Sequence, residues 1–255
     1  MSIKRALLLV VVAILFGVIG YSSFRLWDIY SGQAQEQETH RQMLAYRPSL
    51  DSVDLPEEYH RVVIPLAYVP VVNQSVIDLQ AVHPSVVGWL SIPNTLVEHP
   101  VVQGTDNVFY LHRNIHHESS AAGTIFMDHR NSSDFSDFNT LIYGHNMRNA
   151  SMFGSLRDFL GRHFFDITPV GHVFLPYRTY AIEWFAFAVI RNNDGVIYGL
   201  GIDTYEERYI FLNHVRNIAM HYRDVDVTVH DRLVTLSTCR NDAANSRMIL
   251  VGVLR

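Results

Sequence analysis

The sequence predicts a mostly β protein, a barrel with a few packed helices, carried behind one apolar N-terminal segment. Three observations lead there. From Val86 onward the chain is a series of short β-type runs separated by turn residues. Only two later segments have a helical pattern, and a single uncharged stretch, Ala6 to Phe24, precedes everything else.

The N-terminal stretch comes first. Ala6 to Phe24 contains no formal charge, and its rise reaches about 28 Å, close to the roughly 30 Å of bilayer hydrocarbon. Lys4 and Arg5 precede it and Arg25 follows, a modest bias toward a cytoplasmic N-terminus. Trp27 and Tyr30 suit an interface. A cleaved signal peptide is the competing reading, but the run is long for one and no small-x-small site follows. We therefore expect residues 1–25 to be a cytoplasmic tip and single transmembrane anchor, with the body extracellular. Residues 26–72 are expected to be a juxtamembrane spacer; QAQEQETHR, from Gln33 to Arg41, fits a spacer helix or a solvated linker equally. A folded domain over 73–255 completes the division.

A short helix is expected from Asn73 to Val82, where Val76, Leu79 and Val82 recur at three-residue spacing and Pro84 ends it. The early β runs are VVGWLSI, LVEHPVV, VFYL, GTIFM and TLIYG; the later ones are HVFLPY, TYAIEWFAFAVI, VTVH, RLVTLSTC and RMILVGVL. Met152 to Leu160 reads as one interrupting helix. A longer one starts at Thr204, where Thr204 and Glu207 form a capping-box pattern, and is expected to reach about Tyr222. Its stripe of Leu212, Val215, Ile218 and Tyr222 should lie on the barrel.

Composition bounds the function. With 48% hydrophobic and 12% aromatic residues in 255, the bulk of the chain is globular. Twenty Lys and Arg against 25 Asp and Glu give −5, so there is no basic field for nucleic acid. One cysteine excludes a disulfide framework and a Cys-rich zinc module. His112, His116, His117 and His129 lie close in sequence, but no HExxH or Cys accompanies them, and solvated loop histidines explain them better than a metal site. No G-x-S-x-G marks a serine nucleophile. No cofactor or metal is implied.

Chemistry concentrates at three places. Cys239 ends the strand-like LVTLSTC. His145 follows the β run TLIYG, where a side chain can face a cleft. Arg247 opens the next β run, eight residues beyond Cys239, and adjacent antiparallel strands bring such an end and start to one rim. A thiolate attacks a carbonyl, an imidazole moves protons, and a guanidinium presents fixed donors to an oxyanion. With ordinary pKa values, roughly 3% of such a thiol is ionised at pH 7, and only about 1% of molecules hold thiolate and imidazolium together. A nearby guanidinium raises that fraction.

These residues sit in runs that resemble the class B sortases, membrane-anchored cysteine transpeptidases of Gram-positive bacteria. The likeness extends over about Val86 to Leu254 and lies in VVGWLSIPNTLVEHPVVQGTDNVFYL, GTIFMDHRN, NTLIYGHNM and TLSTC followed by the Arg247 strand. It implies a closed eight-stranded barrel with a long helix inserted between late strands. It also implies Cys239 as nucleophile, His145 as acid/base and Arg247 as oxyanion and substrate-backbone donor. Asn107, Tyr143 and Ser237 match positions lining the family's peptide groove, and Val196 and Ile197 would supply an apolar wall. Arg240 departs from members with an acidic residue after the nucleophile. The implied partners are secreted proteins with a C-terminal sorting signal, cleaved after Thr, and an amine on a peptidoglycan precursor. An L,D-transpeptidase-like cysteine enzyme, a pilin-polymerising sortase and a non-catalytic surface scaffold are the alternatives. The first lacks its Ser-His-Gly lead-in, and the last sits poorly with all of Cys239, His145 and Arg247 being present.

Overall fold

The computed structural model describes residues 3–49, 72–199, 201–239 and 245–255. Arg240 and residues 50–71 of the spacer therefore lie outside the described residues. The chain divides into two compact units, Met1–Arg41 and Gln42–Arg255. Helix α1, Ile3–Leu44, is continuous through the stretch read as spacer or linker. Among the described residues it is the one helix long and apolar enough to cross a membrane.

In the second unit, α2 (Gln74–Val82) buries Val76 and Leu79, and the Asn73 side chain before it donates to the carbonyls of Leu175 and Arg178 rather than capping the helix. The strands follow as β1 (Val86–Ser91), β2 (Glu98–Gln103), β3 (Phe126–Met127), β4 (Asn139–Tyr143), β5 (Val170–Leu175), β6 (Arg178–Arg191), β7 (His221–Tyr222), β8 (Leu233–Cys239) and β9 (Ser246–Leu254). Their order is β5-β1-β2-β3-β4-β8-β9-β6, and β5 pairs back onto β6, so eight strands close a barrel. The short β7 is added to the edge of β6 beyond the part that β5 occupies.

The sequence pattern explains how one wall serves two cores. On β9, Met248 and Leu250 enter the barrel interior, whereas Ile249, Val251 and Val253 face a second cluster with Phe211 and Val215 of α4 (Tyr205–Ile218). Both faces are buried, so β9 reads as a continuous apolar run rather than an alternating one. On β6 the register shifts between Trp184 and Ala186. Ile182 and Trp184 point inward before the shift, and Phe187 does so after it, because one extra residue inverts the pleat. Gly252 pairs with Trp184, and a Cβ there would lie 2.6 Å from the indole, so the ring's place depends on that glycine.

Four expectations are corrected by the fold. VFYL (108–111) is a turn, since Asp106 Oδ1 accepts from the amides of Val108 and Phe109 at 2.8 and 2.7 Å and diverts them from a ladder. VTVH is likewise irregular: Asp231 accepts from Thr228 N, and Thr228 Oγ1 accepts from His230 N. The Met152 to Leu160 segment is a 3₁₀ helix over Gly154–Leu160, followed by the short α3 (Arg162–Ile167). The helix after Thr204 keeps its capping box but stops at Ile218, because Met220 N and Arg223 N donate to the carbonyls of Phe187 and Phe185 on β6. Pairing with a free strand edge outweighs helix continuation.

Candidate active site

A cleft of about 300 Å³ lies where β4 and β8 end, lined by Asn107, Leu111, Phe126, Tyr143, Gly144, His145, Asn192, Tyr198, Ser237, Thr238 and Arg247. Its floor is the parallel β4–β8 pair, with Tyr143 opposite Ser237. One side is the connection between β2 and β3, and the other is the loop that follows β6. Cys239 closes β8, in antiparallel register with Arg247 of β9. The residues expected to act together are thus brought to one rim by strand pairing: β8 carries Ser237 and Cys239, β9 brings Arg247 across, and β4 delivers His145 two residues beyond its end.

His145 is half-buried, and its Nε2 lies 2.7 Å from the carbonyl oxygen of Leu111. A carbonyl only accepts, so Nε2 carries the hydrogen and Nδ1 is the nitrogen left to exchange a proton in the neutral ring. Leu111 comes from VFYL, the segment misread as a strand, which is why sequence reasoning overlooked its carbonyl. Arg247 is also half-buried, and its guanidinium has no carboxylate partner among the described residues. Thr238 is 2% exposed, and its hydroxyl has no hydrogen-bond partner among the described residues.

Asn107, Tyr143 and Ser237 all reach the cleft. Val196 and Ile197 do not. Ile197 is fully buried in the cluster beneath α4 and Val196 packs on that cluster, because Asp194 Oδ1 accepts from both of their amides and turns them inward. The wall from this loop is Tyr198 instead, whose hydroxyl lies 2.8 Å from Ser237 Oγ and whose ring stacks on Tyr143 at 6.4 Å. Asp194 also pairs with His214 of α4 at 2.9 Å, tying the loop to that helix.

Behind Tyr143 and Asn107 sits Asp128, fully buried. Burial alone would raise its carboxyl pKa, but hydrogen bonds from Arg130, Asn107 and Tyr143 outweigh it and hold the group at about 2. Burial first, and then the Asp128 charge, push the Tyr143 phenol well above its ordinary range, so it stays protonated. The four loop histidines do not converge. His116 packs on His83, His117 on Phe109 and Tyr110, His112 near His145, and His129 beside Asp128. Among the described residues no group of three or more side chains is arranged to hold a metal.

The comparisons with known proteins agree with this frame. The sortase domain model matches residues 90–255. The chain belongs to the sortase family. Within that family the resemblance is to class B. Sortase B of Listeria monocytogenes is 38% identical over 183 residues, which is 69% of this chain and 72% of that protein. The X-ray structure of Clostridium perfringens sortase B superposes with a TM-score of 0.67 at 31% identity, covering 70% of this chain and 98% of that one. A Staphylococcus aureus sortase B–substrate complex superposes with a TM-score of 0.67 at 28% identity, covering 72% and 86%. The protein is accordingly a class B sortase by family, with the general transpeptidase activity of sortases.

Proposed function

We propose that this sortase acts by cysteine acyl transfer: it cleaves the C-terminal sorting motif of secreted proteins after Thr and joins them to an amine of a peptidoglycan precursor. The observation that carries this reading is the β8–β9 register, which pairs Cys239 with Arg247 beside the cleft that His145 lines. Residues 1–25 serve as cytoplasmic tip and anchor, 26–72 as spacer and 73–255 as the extracellular catalytic domain. Such an anchor keeps the enzyme in the plane where membrane-tethered substrates are found.

In the first half-reaction the Cys239 thiolate forms a bond to the Thr carbonyl carbon. The oxyanion that develops accepts hydrogen bonds from Arg247. The C–N bond then breaks, and the amine leaves with a proton from His145 Nδ1. In the second half an incoming amine attacks the thioester and gives a proton back to Nδ1, and the thiolate departs. The carbonyl of Leu111 holds the imidazole in position for both transfers.

The full chain in detergent, mixed with fluorogenic NPQTN- and LPXTG-type peptides, tests the reading. Oligoglycine, diaminopimelate stem peptide and lysine are supplied as acceptors. At least one peptide should be cleaved, and mass spectrometry should show the acyl group joined to an amine. Cleavage of none overturns the proposal, and hydrolysis indifferent to every amine would make the enzyme a protease.

Gly123 gives a second expectation. Its φ is +61°, and a Cβ there would lie 2.6 Å from the Tyr110 carbonyl oxygen and 2.7 Å from that of Leu111, the group that orients His145. Gly123→Ala must therefore strain its own backbone or push that carbonyl aside. Turnover is expected to fall about a hundredfold, the scale of an ångström-sized misplacement of a reacting group. Peptide KM should change much less, which steady-state kinetics below the variant's melting temperature would read.

A further inference from the structure

Asp128 accepts five hydrogen bonds, and two of them come from side chains that line the cleft. On Oδ2 these are from Tyr143 Oη at 3.0 Å, Asn107 Nδ2 at 2.9 Å and Arg130 Nη2 at 2.8 Å. Oδ1 receives Arg130 Nε at 2.9 Å and the Arg130 amide at 3.0 Å. A carboxylate offers about four lone-pair sites, so this one is saturated and has nothing left for a ligand. It is also walled off from solvent. Its influence on the cleft must pass through the groups it holds.

Those groups are constrained in a specific sense. The Tyr143 hydroxyl has one hydrogen, and it is committed to Asp128; what remains toward the cleft is the lone pairs of its oxygen. Asn107 is fixed in one amide orientation, because Oδ1 accepts from His129 N at 2.9 Å while Nδ2 donates to Asp128. Arg130 also reaches the carbonyl of Tyr198 at 3.4 Å, so the opposite wall is tied to the same carboxylate. Tyr198 in turn stacks on Tyr143 and bonds to Ser237.

We infer that Asp128 is a positioning residue that sets the hydrogen-bonding polarity of the cleft wall, turning the Tyr143 oxygen into an acceptor for an N–H of the bound sorting peptide. A phenol whose proton is given to an anion is a stronger acceptor than a free one, and it discriminates against a substrate that offers an oxygen at that point. The inference rests on the acyl-transfer reading of the cleft and adds to it which kind of substrate atom the wall recognises.

The test uses the full-length protein and whichever fluorogenic peptide it cleaves fastest, together with versions of that peptide in which each backbone amide in turn is replaced by an ester. An ester removes one N–H. For the wild-type protein one ester position near the scissile bond should lower kcat/KM about tenfold, the scale of one hydrogen bond lost at a buried acceptor. Tyr143→Phe should lower kcat/KM about tenfold on the all-amide peptide and should be indifferent to that same ester.

Asp128→Asn should raise KM about tenfold with kcat changed less than about threefold. In that background the further change Tyr143→Phe should cost less than about twofold, because the acceptor is no longer set. A purely structural Asp128 would lower the melting temperature but leave the two effects multiplicative. Should Asp128→Asn fail to fold, the Tyr143→Phe comparison on amide and ester peptides decides alone. The inference is overturned by a Tyr143→Phe enzyme that keeps the ester discrimination, or by an Asp128→Asn enzyme with wild-type kcat/KM. A wild-type protein inert toward every peptide overturns the acyl-transfer reading and this inference together. That outcome is distinct from either failure seen with an active enzyme.

Discussion

Cys239→Ala is expected to abolish acyl transfer, lowering kcat by at least about 10⁴-fold while the protein still binds its sorting peptide. Removal of a nucleophile in an enzyme with a covalent intermediate costs about 10⁴ to 10⁶ in kcat, leaving only what binding and the oxyanion donors contribute. The loss belongs to kcat because the cleft lining, from Asn107 to Ser237, is untouched by the change. Two measurements check it. Peptide affinity, by fluorescence anisotropy, should stay within about threefold of wild type. Intact-protein mass spectrometry during wild-type turnover should show the acyl adduct, releasable by hydroxylamine, and the alanine variant should show none. An alanine enzyme that still transfers the peptide at more than about 1% of the wild-type rate would remove the thiol from the mechanism.

The second large effect concerns Arg247. Its strand position opposite Cys239 is set by the β8–β9 ladder, and no carboxylate among the described residues neutralises it. In the proposed mechanism a guanidinium there offers fixed donors to the developing oxyanion. Arg247→Ala is expected to reduce kcat about 10²- to 10³-fold, the cost of losing preorganised oxyanion donors. Arg247→Lys should recover no more than about a tenth of wild-type activity, because an ammonium is a strongly hydrated point charge without the planar fork. The comparison separates charge from geometry. Rapid-quench measurement of the acylation step reads it directly, and a lysine variant with wild-type acylation would mean that charge alone suffices.

Helix α4 and the loop before it show why part of the site was illegible in the sequence. The Thr204–Glu207 box was readable because both halves lie within four residues, and it forms as expected, with Glu207 N donating to Thr204 Oγ1 at 3.2 Å. Where the helix ends was not readable, because the competing partner is an edge of β6 more than thirty residues upstream. The same holds for Val196 and Ile197. Their apolar character is evident, but whether they face a groove or a core depends on Asp194 capping their amides and on α4 lying above them. Tyr198, one residue further on, faces the other way.

What the chain determined by itself is everything local in sequence: strand runs with their turn punctuation, the apolar N-terminal helix, the capping box, and a Cys-ending strand followed by an Arg-opening one. These depend on side-chain period and neighbouring residues, and such interactions survive being read along a line. Tertiary structure alone decided that β5 pairs with the distant β1 to close eight strands, that the Leu111 carbonyl fixes the His145 tautomer, and that one buried carboxylate holds Tyr143 and Asn107. The last two join residues from 15 to 34 positions apart through a buried charge or a backbone carbonyl. Such contacts leave no periodic trace in sequence, because their energy comes from desolvation and geometry that exist only once the barrel has closed.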